Sequence, residues 1–199
     1  MSGDDSPLEQ RLVQTALDAL DHEPAERLSM RHVALAVGVS HQAPYVHFGS
    51  KRRFLAAVAG AGLQEAAEAA AQALDSAGKD ALGRLHALID AYVDFIRNRP
   101  HVHDLAYGAL VAKADHPDLQ RAAASYWDLL HDTVAACQPP KTEEAEVLRR
   151  SVAAWGLVYG IARLDRLDQI PKSVPGDHRE VIHEAVARLH EGWQANNTH

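Results

Sequence analysis

Two glycines, Gly38 and Gly49, interrupt a stretch that otherwise reads as helix throughout, and they limit what can form on either side of them. The segment before Gly38 opens at Ser29, a natural N-cap, and runs through Met30, Val33, Ala34 and Val37 at helical spacing. It stops at the residue type that most easily takes the left-handed cap geometry. The next helix is expected to start at or just after Ser40 and to finish near Gly49-Ser50. Two short helices joined by Gly38-Val39-Ser40 have the helix-turn-helix layout. Ala34 is small where crossing helices need close approach, and Val39 can plug the space between them.

The rest of the chain follows the same period. Ser6-Pro7-Leu8-Glu9 places a capping hydroxyl, a proline at the first helical position and a glutamate in register for a capping box. Leu8, Leu12, Val13, Ala16, Leu17 and Leu20 then fall on one face, closed by Glu23-Pro24. Further helices fit 51–77, 81–98, 102–113, 117–137, 142–167 and 178–194, with Arg99-Pro100, His116-Pro117, Pro139-Pro140 and the 171–176 loop as breaks. No stretch alternates with period two for long enough to make a strand, so the class is all-α. The expected organisation is an N-terminal three-helix bundle carrying the helix-turn-helix over residues 1–55, and a larger helical domain over 56–199.

Composition removes several alternatives. The 199 residues are 47% hydrophobic, yet no run of about 18 apolar residues exists to span a membrane. The start, "MSGDDSP", is acidic where a secretory signal would be basic and then apolar, which reads as a cytoplasmic chain. Cys137 is the only cysteine, so an intrachain disulfide and a cysteine-based zinc site are both excluded. A net charge of −7 opposes binding to a polyanion on average, but Lys51, Arg52 and Arg53 meet no acid between His41 and Phe54.

In a helix-turn-helix the second helix lies in the major groove with its N-terminal residues toward the bases. Those residues are Ser40, His41, Gln42 and Ala43. Gln42 can bond bidentately to adenine, His41 can bond a base edge or phosphate, and Ala43 can touch a thymine methyl. Pro44 fixes the start of this helix: with Ser40 as cap it is the fourth helical residue and removes at most one early bond, and with a start near Gln42 it removes less.

"LSMRHVALAVGVSHQAPYVHFGSKRRFL", Leu28 to Leu55, resembles the DNA-binding segment of the TetR family of transcriptional regulators. The likeness extends over most of residues 8–55 and rests on Ala34 with Gly38, the Gly-Val-Ser turn, Tyr45, His47-Phe48 and Lys51 at the family's spacing. It implies that Tyr45 and Lys51 hold phosphates, that His47 lies near the DNA backbone, that Ser29 or Arg31 adds a phosphate contact, and that Phe48 packs inside. Phosphate contacts position a protein, and only base-edge contacts read sequence.

"SVAAWGLVYGIARL", Ser151 to Leu164, is similar to the Trp-containing helix of a TetR subgroup with a WHG-type C-terminal domain, with Tyr159-Gly160 where the subgroup has His-Gly. "RPHVHDLAYGAL" and "HPDLQRAAASYWDLL" fit the same subgroup. The aromatic residues of this half serve either as core or as the lining of a small-molecule cavity, for which apolar walls with a few polar tips are suited. The residues expected to meet a ligand are Tyr107, Trp127, Trp155 and Tyr159, with His103 and His131 as polar members. The last two helices, with Leu148, Val152, Val181 and Val186 among their apolar positions, are either buried within the chain or, as the resemblance implies, form an isologous four-helix dimer interface.

His101-Val102-His103-Asp104 offers metal-ligand types, but alternate helical positions diverge and no second pair at i, i+4 supports them, so no metal and no cofactor is expected. Neither a G-x-S-x-G motif nor a phosphate-binding glycine loop is present, and Cys137 has no adjacent base, so catalysis is not expected. The sequence therefore points to a cytoplasmic, homodimeric, ligand-responsive transcriptional regulator, a repressor on palindromic operator DNA released by a small-molecule effector. The alternative is a cytoplasmic helical binding protein or enzyme whose N-terminal unit has lost DNA binding.

Overall fold

Ser29 does cap a helix: its Oγ accepts from the backbone N–H of His32 at 3.4 Å, and α2 runs over Met30–Val37. Gly38 ends it at φ +81°, in the left-handed region that favours glycine, with its N–H donating to the carbonyl of Leu35 and the N–H of Val39 to that of Ala34. The computed structural model describes residues 7–111, 113 and 116–195. Among these residues every regular element is a helix. The others are α1 (Leu8–Ala19), α3 (Ala43–Phe48), α4 (Lys51–Ser76), α5 (Ala81–Asn98), α6 (Pro100–Tyr107), α7 (Pro117–Ala136), α8 (Glu144–Arg166) and α9 (His178–Ala195). None of the described helices is long and apolar enough to cross a membrane.

Several boundaries differ from the sequence expectation. Helix α3 does not start at Ser40; the Ser40 carbonyl accepts from the N–H of Ala43 in a preceding turn, and Gln42 occupies the cap position. Helix α1 ends at Ala19, before Glu23-Pro24, and successive turns carry the chain on. Helix α6 ends at Tyr107 because Gly108 leaves it with extended backbone, so it does not reach Lys113. The expected cap of α1, Ser6, lies outside the described residues.

The chain divides into two compact units. The first comprises residues 1–65 and 98–124, the second 66–97 and 125–199. In the first, α1, α2 and α3 pack on one another around Leu12, Leu17, Val33, Ala34 and Phe54, all buried. Helix α6 closes on the same core against α4 at Gly62: a Cβ there would overlap Val102 Cγ1 and lie 3.0 Å from Leu17 Cδ2, so only glycine admits the contact. Arg99 fastens this junction, with Nε 2.7 Å from Asp21, one terminal nitrogen 3.1 Å from Glu65 and the other donating to the Leu17 carbonyl at 3.3 Å.

In the second unit, α8 packs against α9. Arg97 holds Asp165 at 3.0 Å and Asp177 at 3.3 Å, while Arg179 holds Asp90 at 2.8 Å and also pairs with Asp94. Cys137 is buried, donating toward the Ala81 carbonyl at 3.4 Å.

Candidate nucleic-acid interface

Helix α3 has one face in the core and one outside. Pro44 and Phe48 are buried, the latter with its ring 4.9 Å from that of Phe54. Pro44 is the second residue of the helix, where the backbone N–H would have no intrahelical acceptor, so the proline removes no helical hydrogen bond and presets the turn. With these two residues anchored inward, Ser40, His41, Gln42, Tyr45, Val46 and His47 are all exposed, and Ala43 is partly covered. Arg31 on α2 is exposed as well.

Lys51 opens α4 two residues after Gly49, which takes φ +74°. Its Nζ donates to the carbonyl of Glu26 at 3.2 Å, which draws the ammonium toward the approach to α2. Arg11 ties α1 to the end of α2 by donating to the Val37 carbonyl at 3.0 Å, and the helix-turn-helix is thereby held from both sides. From Arg27 to Phe54 the sequence carries Arg27, Arg31, Lys51, Arg52 and Arg53 and not one acidic residue. The basic stretch is thus longer than the segment His41–Phe54 alone suggests, and it belongs to a chain of net charge −7.

Two groups of this segment escaped the sequence reading. Val46 is 80% exposed, an aliphatic side chain on the outer face of a helix whose Pro44 and Phe48 are buried. Arg27 stands just ahead of α2, upstream of His41–Phe54, and its signal in the sequence is the acid-free stretch that continues back to it.

The residues expected to meet a small molecule fall into two groups. His103 and Tyr107 belong to the first unit, where His103 is 1% exposed and its ring lies 4.8 Å from that of Tyr107, which carries Lys113 Nζ 4.1 Å above its own centroid. Burial lowers the Lys113 ammonium below its ordinary pKa. Trp127, His131, Trp155 and Tyr159 belong to the second unit. There Trp155 stands edge-on to both Trp127 and Tyr159, each at 6.4 Å, and its indole N–H donates to Tyr92 Oη at 3.3 Å. His131 Nε2 lies 2.9 Å from the Glu144 carboxylate. Among the described residues no group of three or more His, Cys, Asp or Glu could hold a metal ion.

A short capped helix, a left-handed glycine turn and a second helix with an exposed polar face, set in a helical chain with a further helical unit, define a helix-turn-helix regulator. Residues 12–58 match the family model described as bacterial regulatory proteins, tetR family, and residues 85–189 match that described as tetracyclin repressor-like, C-terminal domain. The chain belongs to the TetR family of transcriptional regulators. None of the proteins with curated descriptions matches it significantly. A protein of unknown function from Rhodococcus sp. RHA1 superposes with a TM-score of 0.80 at 26% identity, covering 97% of this chain and 98% of that one. The TetR family regulator PfmR from Thermus thermophilus (TM-score 0.61, 16% identity, 91% and 97% covered) shares the fold. So does a TetR regulator from Legionella pneumophila (0.65, 16%, 93% and 98%).

Proposed function

We propose that the protein is a homodimeric repressor that occupies a palindromic operator and is released from it by a small-molecule effector. The observation that carries this reading is the outer edge of α3, where Gln42, Tyr45 and His47 stand exposed over a helix pinned by buried Pro44 and Phe48, within an acid-free basic segment. In this reading Gln42 and His41 contact base edges, Tyr45, Lys51, His47, Arg31 and Ser29 contact the backbone, and Ser40 and Ala43 line the approach. Ser29 keeps its hydroxyl hydrogen for a phosphate while its oxygen caps α2.

Dimerisation is supported by α8. Leu148 and Val152 are 40% and 54% exposed, and Gly156 and Gly160 continue the same row at four-residue steps with open space where a Cβ would stand. A ridge that passes into a shallow groove suits a second helix packed closely alongside. Two copies would then present two α3 helices to half-sites about 34 Å apart or a multiple of it.

An effector bound among Trp127, His131, Trp155 and Tyr159 would release DNA only through unequal affinity for the two conformations. The coupling is reciprocal, so operator DNA must weaken effector binding by the same factor.

The test is selection of duplexes from a random pool by the full-length protein, followed by anisotropy titration at several salt concentrations and sedimentation of the free protein. The expected result is a palindromic consensus, affinity falling steeply with salt, and a dimer. Salt-insensitive or unselective binding would overturn the reading.

A further inference from the structure

Val46 is the most exposed large apolar side chain of the described residues, at 80%, and it sits on the helix that presents Gln42. Its N–H donates to the Gln42 carbonyl at 3.0 Å, so the two residues stand one turn apart on the same side of the chain. The neighbours Tyr45 and His47 carry polar tips suited to phosphates; Val46 carries none and can bond neither a phosphate nor a polar base edge. In the major groove only thymine, through its 5-methyl group, offers an apolar contact among the four bases. A valine in a helix keeps one side-chain rotamer, so its two methyl groups are already ordered before DNA arrives. Ala43, to which the sequence assigns a methyl contact, is partly covered and projects a single carbon.

Resting on the reading of α3 as the groove-binding helix, we propose that Val46 determines sequence specificity by packing on the 5-methyl group of a thymine in each half-site. Four residues of helix rise about 6 Å, and base pairs are spaced at about 3.4 Å. The thymine therefore lies one or two base pairs from the base that Gln42 reads. The site accepts 5-methylcytosine in place of thymine wherever its other contacts permit, because the two present the same methyl group.

The test replaces each thymine of a selected duplex, one at a time, by deoxyuridine, which removes only the methyl. The full-length dimer should lose about four-fold in affinity per half-site at one position, the factor for a single methyl returned to water. In Val46→Ala that loss should vanish, and in Ala43→Ser it should remain. Equal binding to every deoxyuridine duplex, with selective binding to the parent intact, overturns the role of Val46 and leaves the DNA reading standing. So does a methyl effect that persists in Val46→Ala or disappears in Ala43→Ser. Failure to select any duplex overturns both. Val46→Ala places a better helix former at an exposed position, so the variant should fold, which circular dichroism checks.

Discussion

The imidazole of His86 lies flat on that of His183, with the planes 2° apart and the centroids separated by 4.4 Å. His183 Nε2 is 2.9 Å from Asp90 Oδ1, which also holds Arg179, whereas His86 Nε2 is buried with no hydrogen-bond partner among the described residues. Burial, and then the facing ring of His183, lower the pKa of His86 from its ordinary 6.5, against smaller opposing effects of Asp90 and Asp80. A histidine that is harder to protonate when folded leaves the unfolded chain holding more protons as pH drops. Its contribution is therefore complete above the ordinary value and declines as pH falls below it. Thermal melts should show stability decreasing from pH 7 to pH 5, with a shallower decrease in His86→Gln. An identical slope in that variant would exclude this pair as the origin.

Lys51 and Gln42 should separate in their effects on DNA. Lys51→Ala should weaken every duplex alike and lower the salt slope by about one. Gln42→Ala should cost about 1–3 kcal/mol at a single base pair and leave the others unchanged. Because Lys51 also reaches the Glu26 carbonyl, a small loss of stability is expected with its removal. Anisotropy against a panel of single-substitution duplexes measures both.

Gly38 has nothing within 4 Å of where a Cβ would stand, but its φ of +81° disfavours any side chain. Gly38→Ala should therefore destabilise by about 1–2 kcal/mol through backbone conformation alone, and Gly38→Asn by less. Urea denaturation with an unchanged m-value is the readout.

Gly62 is the opposite case, an ordinary helical position with no room. Gly62→Ala should cost about 1–3 kcal/mol by overpacking, since its methyl would meet Val102 and Leu17. Val102→Ala in the same chain should recover part of that loss. If the double variant is less stable than the sum of the two singles, the contact is not the cause.

Cys137 is buried, and desolvation followed by the Asp80 carboxylate raises its thiol to about 11. A disulfide reagent at pH 8 should leave the folded protein unlabelled and modify one thiol per chain after denaturation.

Much of this molecule was legible from local chemistry. Ser29 and Gly38 bracket α2 because capping and left-handed geometry are properties of single residues, and the limits of α5 coincide with the periodic stretch 81–98. Ser40 misled for the same local reason: it is a good cap by type, but its carbonyl is engaged in a turn to Ala43, and Pro44 sets the helix in register from Gln42. Val46 was missed because a valine at helical spacing reads as core, and only the placement of Pro44 and Phe48 on the other side turns it outward. The split of the six aromatic and histidine candidates between two units depends on where distant segments meet, which no spacing along the chain encodes.

The first unit is assembled from two separated pieces of chain. Leu17 and Leu63 are fully covered, and Val102 and Leu119, which share that unit with them, are supplied only by the second piece. During synthesis, then, the helix-turn-helix emerges from the ribosome early but stays unfinished until α6 and the beginning of α7 have followed it. A nascent chain halted before Pro100 would carry the whole basic surface on a headpiece with an open side, and a protease should find it an easy substrate until the later piece arrives.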